Sequence, residues 1–226
     1  MGKHNVKEIS GSLALSIAKS ILILVCCFGL LMGLTMRTRA ASWMDPYLEQ
    51  VVDWGVMAGD KNGNLHPDRQ ITRAEFVTMI NRAFGHKEVG PNPFRDVPGT
   101  AWYAEDIAIA YRAGYFAGTS ATTASPNAPV TREQAVTMLG RNMRMQGGTG
   151  AILSYTDNTA MANWSRGMIQ EATDMGIVSG YEDGSFRPRT PISRGEAAAI
   201  IVQAVGTLIS EPGEQSVGGV YGNLTI

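Results

Sequence analysis

At 226 residues, with 44% hydrophobic and 17% charged content, the chain has the composition of an ordinary globular protein, neither disordered nor fibrous. The formal net charge is −1, but five of the 19 basic residues and only one of the 20 acidic residues precede Ala40, so the body of the chain is acidic. That excludes the broad basic face needed for nonspecific nucleic-acid binding, and any bound anion must be held by a few placed arginines.

The chain opens with a basic, polar leader, then the uncharged apolar run 21–36, then small residues at Thr38, Ala40 and Ala41. This order predicts a secretory signal peptide over residues 1–41, and the run is short for a spanning helix. A retained N-terminal anchor is the alternative; Arg37 and Arg39, on the side that would be exported, oppose the usual orientation rule. Both cysteines, Cys26 and Cys27, lie inside the run. The exported body therefore has no disulfide and no thiolate chemistry, and its stability must come from packing.

The body is built on a frame, W-x11-G-x3-G-x7-P-x5-R, that recurs three times without a slip. Its copies are Trp43, Gly55, Gly59, Pro67, Arg73; Trp102, Gly114, Gly118, Pro126, Arg132; and Trp164, Gly176, Gly180, Pro188, Arg194. In the third copy, Trp164, Met168, Ile169, Ala172 and Met175 follow a helical spacing, which predicts an amphipathic helix over residues 163–175. Gly176 supplies the left-handed position that ends it. A tight Asp183-Gly184 turn and an extended stretch through Pro188 lead to a second helix. That helix starts at a capping box, Ser193 with Glu196, repeated as Thr72 with Glu75 and Thr131 with Gln134.

Each unit therefore reads as helix, glycine turn, short extended loop, capped helix, and neither helix can bury its face alone. The fold class is mainly α, three tandem helix-loop-helix repeats sharing one core, over residues 42–86, 92–146 and 153–209. A Gly-rich joint, 146–150, separates the second and third units, and residues 210–226 read as a flexible tail. Copy two lacks the Asp-Gly turn, and copy one lacks the Phe94-Arg95-Asp96 and Tyr155-Thr156-Asp157 openings of the other two.

These residues together resemble the S-layer homology domain. They are the Phe-x-Asp opening, the tryptophan, Gly176-Ile177-Val178-Ser179-Gly180, Tyr181-Glu182-Asp183-Gly184-Ser185-Phe186-Arg187-Pro188, and Ile71-Thr72-Arg73-Ala74-Glu75. The resemblance covers roughly residues 42–209 and implies a three-lobed helical spindle. It further implies noncatalytic attachment of an exported bacterial protein to the cell envelope, by binding pyruvylated secondary cell-wall polysaccharide or a peptidoglycan-linked glycan. The sequence departs from the pattern at the opening of copy one, the loop of copy two, and Arg132-Glu133-Gln134 where Arg-Ala-Glu is expected.

Independently of the resemblance, Arg73, Arg132 and Arg194 fall at the first position of each capped helix, where a cation works against the helix dipole at a cost of about 0.3–1 kcal/mol. Free backbone N–H groups at the same end favour an anion, and a guanidinium can grip a carboxylate with two bonds. The alternative is that each arginine pairs with an acidic group of a neighbouring repeat and only holds the lobes together. Trp43, Trp102 and Trp164 are placed on the apolar face of the first helix, as core before sugar platform. Gly59, Gly118 and Gly180 are turn residues that also let a ligand approach the backbone.

The expected glycan site thus comprises Arg73, Arg132, Arg194, Thr72, Thr131, Ser193, the three glycines and the three tryptophans. Replacing Arg73 and Arg194 with Ala is expected to weaken binding with the fold intact. Asp60-Lys61-Asn62-Gly63-Asn64 resembles part of a calcium loop, but Ile71 stands where the twelfth-position glutamate belongs. His4, His66 and His86 are scattered, and neither a metal, nor a cofactor, nor a nucleophile–base pairing is expected. The competing reading is a surface component that contacts protein and meets the membrane only through an uncleaved N-terminal segment.

Overall fold

The computed structural model describes residues 42–147 and 154–210; the expected signal or anchor and the tail beyond Ser210 lie outside them. Six α-helices follow in order: α1 Asp45–Asp53, α2 Arg73–Phe84, α3 Ala104–Arg112, α4 Arg132–Asn142, α5 Asn163–Asp174 and α6 Arg194–Ser210. A 3-10 turn, Asn158–Ala160, precedes α5. Among the described residues there are isolated β-bridges but no strand, and no helix is long and apolar enough to cross a membrane. The chain is mainly α-helical, as the periodicity predicts.

The even-numbered helices start where the capping boxes place them. The Thr72 hydroxyl accepts from the Glu75 N–H at 3.2 Å while the Glu75 carboxylate accepts the Thr72 N–H at 2.9 Å. Thr131 with Gln134 and Ser193 with Glu196 do the same. The odd-numbered helices end at the first frame glycine. After α5, Gly176 at φ 72° donates to Thr173 O, and Ile177 N–H reaches back to Ala172 O at 2.9 Å. That pair of bonds needs a left-handed residue, which glycine adopts without a Cβ clash.

The unit of packing is not the unit of sequence. Each odd helix packs on the capped helix of the preceding repeat: α3 on α2, α5 on α4, and α1 on α6, which brings the first and last described helices together. These are the three lobes. The capped helices meet at the centre, where the residues just before each cap close a ring. Ile71 N–H donates to Ile192 O, Ile192 N–H to Val130 O, and Val130 N–H to Ile71 O, at 3.0–3.1 Å. All three side chains are buried, and each stabilises the junction by about 1.5–3 kcal/mol. The ring joins three repeats through backbone groups, so it is indifferent to which side chains the loops carry.

The Phe-x-Asp opening acts on its own repeat's loop. Both carboxylate oxygens of Asp96 accept backbone N–H groups, of Ala124 and Ser125, at 2.8 Å; Asp157 takes Phe186 and Arg187 identically. The second residue of each pair precedes the frame proline and sits at positive φ, Ser125 at 53° and Arg187 at 58°. A non-glycine residue before proline disfavours that region, so the aspartate's two bonds offset the strain. His66 holds the same position in the first repeat, at φ 50°, and its ring nitrogen bonds Asp60 Oδ2 at 2.9 Å. Asp60 also accepts the Asn62 and Asn64 N–H groups, so the calcium-like segment is closed by its own donors.

Candidate ligand grooves

Two expectations about the arginines change once the chain is folded. The helix N-termini are not open to an anion. Arg73 N–H donates to Ala128 O and Ala74 N–H to Pro126 O; Arg132 and Glu133 donate to Thr190 and Pro188; Arg194 and Gly195 donate to Arg69 and Pro67. Every one of these acceptors belongs to the neighbouring repeat, and the third N–H is taken by the capping hydroxyl. The backbone donors that would favour an anion are spent joining repeats.

The guanidinium groups follow the same cycle. Arg73, 4% exposed, donates Nε to Ala124 O and Nη2 to Ala117 O, both at 2.9 Å, and lies over the Phe116 ring. Arg194 repeats this against Leu65 O at 2.8 Å and Ala58 O at 3.0 Å, with Glu75 at 3.5 Å. Arg132 makes one such bond, Nη2 to Ser179 O at 2.7 Å, with Glu196 at 3.8 Å and the rings of Tyr181 and Phe186 beneath it. Its Nε is buried without a hydrogen-bond partner among the described residues. Burial pushes the Arg73 and Arg194 pKa values below the ordinary arginine range, opposed by Asp96 and Glu75 respectively. Each arginine thus pins the next repeat's glycine loop to a capped helix.

Three grooves follow this cyclic order, here numbered by the repeat that supplies the loop. The first, roughly 160 Å³, is lined by Ala58, Glu75, Arg82, Arg194 and Trp102. The second, roughly 380 Å³, is lined by Gly118, Gln134, Arg141, Arg73 and Trp164. The third, roughly 690 Å³, is lined by Gly180, Glu196, Gln203, Arg132 and Trp43, with Tyr181 and Arg187 along the loop. Each groove takes its loop and capped helix from one repeat, its frame arginine from the repeat before, and its tryptophan from the repeat after.

Helix geometry explains why one helix serves two grooves. Residues seven apart lie on one face, which puts Glu75 and Arg82 of α2 together in the first groove. Nine residues turn the helix by two and a half turns, so Arg73 and Arg82 point to opposite sides, into different grooves. Arg141 and Gln203 hold the equivalent places on α4 and α6. In the first two repeats this second basic position was legible as a spacing of nine from the frame arginine. It lay beyond the end of the frame, so reading the frame alone missed it.

The tryptophans are the second correction. Trp43, Trp102 and Trp164 are 61%, 64% and 53% exposed, not core. The buried face of each odd helix is carried by Leu48 and Val51, Ile107 and Ala110, and Ile169 and Ala172. Trp43 and Trp102 lie in the turns just before α1 and α3, outside those helices, and Trp164 precedes Ile169 on α5 by five residues, about 140° round the helix and off its core face.

The remaining expected site residues divide. Thr72, Thr131 and Ser193 are committed to their caps, and none is among the lining residues of the grooves. Gly118 and Gly180 line the second and third grooves; Gly59 does not line the first. A Cβ on any of the three would strike its own repeat first: Gly63 for Gly59, the Thr123 carbonyl for Gly118, the Tyr155 ring for Gly180. Loop closure therefore requires these glycines whether or not a ligand is bound.

A sequence profile described as the S-layer homology domain matches residues 37–77, 93–136 and 154–198. The chain belongs to the S-layer homology family. Among its relatives, the Surface-layer 125 kDa protein of Lysinibacillus sphaericus is 30% identical over 73% of this chain and 14% of that protein. An amylopullulanase of Thermoanaerobacterium thermosulfurigenes is 32% identical over 71% of this chain and 9% of the enzyme. The Cellulosome-anchoring protein of Acetivibrio thermocellus is 27% identical over 64% and 34%. The match therefore spans about a third or less of these relatives, and what they share with this chain is the S-layer homology region. That region is a noncatalytic module that anchors proteins at the cell surface, and the chain is an exported, cell-surface protein.

Proposed function

We propose that this chain is a noncatalytic anchor whose grooves bind an anionic, pyruvylated secondary cell-wall polysaccharide. The observation that carries the reading is the recurrence, in all three grooves, of an exposed tryptophan together with an arginine that is buried (Arg73, Arg132) or partly buried (Arg194). An exposed indole offers a sugar an apolar face, and arginine fits a planar carboxylate better than lysine does. Large aromatic side chains left in water at three equivalent places mark an interaction surface. The cell-surface relatives named above fit an anchoring role, which would fasten to the wall whatever polypeptide the module accompanies.

The test is sedimentation of the purified protein with cell walls that retain their secondary polysaccharide and with walls stripped of it. Binding only to the former is expected, and the triple variant Trp43→Ala, Trp102→Ala, Trp164→Ala should lose it while keeping its helical circular dichroism. Equal sedimentation with both wall preparations refutes the polysaccharide reading and favours a protein or membrane contact.

A further inference from the structure

The three grooves share a plan but not a charge, and the difference is concentrated at one residue. In the first groove Arg194 faces Glu75 at 3.5 Å, and in the third Arg132 faces Glu196 at 3.8 Å. In the second the equivalent residue is Gln134, whose amide oxygen receives Arg73 Nη1 at 3.5 Å. The capping box is satisfied equally, since Gln134 Oε1 still accepts the Thr131 N–H. Local helix chemistry therefore does not distinguish glutamine from glutamate here, but the groove does. Its lining holds two arginines, Arg73 and Arg141, and no carboxylate. The first groove sets two arginines against one carboxylate; the third sets two against Glu182, Asp183 and Glu196.

Two further contrasts point the same way. Arg82 of the first groove is tied to Val56 O at 3.5 Å, and Arg187 of the third is paired with Asp183 at 2.9 Å. Arg141 makes no side-chain hydrogen bond or ion pair among the described residues and is exposed. The hydroxyl of Thr137 in the second groove is buried and has no hydrogen-bond partner among the described residues, in a residue 3% exposed. Its equivalent in the first groove, Thr78, donates to Asp106 at 2.7 Å, and in the third groove the place is taken by Ala199. Asp96, whose charge reaches Arg73, is itself committed to the Ala124 and Ser125 N–H groups.

We infer that the second groove is the acid-selecting groove: it seats the carboxylate of the glycan at Arg73, Arg141, Thr137 and the Gln134 amide, with the sugar against Trp164. In the other two grooves a protein carboxylate already occupies the anion's place beside the arginine. The third groove, although the largest, repels a second acid through its three carboxylates and suits neutral sugar units of the same chain. This rests on the wall-polysaccharide reading and adds which groove discriminates by charge, and through which residue.

The experiment uses a methyl glycoside carrying a pyruvyl ketal, its methyl ester as the uncharged control, calorimetry, and the indole N–H resonances of the purified protein. The acid should shift the Trp164 indole first, and the ester should bind at least tenfold more weakly. Gln134→Glu keeps the capping box, as Glu75 and Glu196 show, and should lower affinity for the acid at least tenfold by placing a carboxylate beside Arg73. Arg141→Gln, at an exposed position, should lower it several-fold with unchanged stability, and Glu75→Gln should leave the Trp164 response unaltered. If the acid shifts Trp43 or Trp102 before Trp164, or if Gln134→Glu binds as tightly as the parent, the groove assignment is overturned while the wall reading stands. If neither glycoside shifts any indole and the protein also fails to sediment with intact walls, both are overturned.

Discussion

Truncating Arg73 to alanine should unfold the protein more readily, not merely empty a binding site. Its guanidinium is buried, and two of its N–H groups satisfy the carbonyls of Ala117 and Ala124, which lie in the next repeat. Charge-assisted bonds of this kind contribute about 1.5–3 kcal/mol each, and the contact with Phe116 adds about 0.5–2 kcal/mol. Partial relaxation and entry of water to the freed carbonyls return some of this, leaving a loss of about 3–5 kcal/mol against a total stability of about 5–15 kcal/mol. At about 2–4 °C per kcal/mol the melting temperature should fall by roughly 6–20 °C. Arg194→Ala, which frees Leu65 O and Ala58 O, should cost a similar amount. Arg132→Ala should cost less, about 1–3 kcal/mol, because it gives up one carbonyl bond and the contacts with the Tyr181 and Phe186 rings but also removes a buried Nε that has no hydrogen-bond partner among the described residues. Urea unfolding of the three single variants measures the order directly. Equal, small losses in all three would mean that the inter-repeat carbonyl bonds do not hold the loops. Alanine at Arg73 or Arg194 thus mixes a stability loss with any binding loss, and binding is better probed at exposed groove residues.

Glu133 accounts for one departure of the second repeat from the Arg-Ala-Glu pattern. Its buried carboxylate accepts the Ala162 N–H at 3.0 Å and the Ser165 hydroxyl at 2.9 Å, capping α5 from another repeat where α5 has no side-chain cap of its own. Glu133→Ala should cost about 1–2 kcal/mol by urea unfolding, and a double-mutant cycle with Ser165→Ala should show coupling. Asp60 titrates at about 2, below its ordinary 3.8, held down by the His66 ring and then by the Asn64 and Asn62 N–H groups. Because its folded pKa is depressed, its contribution to the loop is complete above the ordinary value and disappears as pH falls through about 2. Carboxyl NMR titration should find that midpoint, and His66→Ala should move it up towards the ordinary value.

The sequence by itself determined the helices and the repeat. Capping residues, a left-handed glycine and an apolar period act over three to eight residues, so Thr72, Gly176 and Ile169 announce their roles without knowledge of the fold. It also identified the arginines and tryptophans as the residues to ask about. It could not place them, because their surroundings come from residues distant in the chain. Arg194 meets Ala58 136 positions away, and α1 finds its packing partner in α6. A shared core was expected, but the helix N-termini are closed by carbonyls of the neighbouring repeat, and Trp43 and Trp102 fall just before their helices and not on the apolar face. What only the tertiary structure decided is the cyclic order. It builds every groove from three repeats, so one glutamine at position 134 changes a groove that begins with the first repeat's arginine and ends with the third repeat's tryptophan.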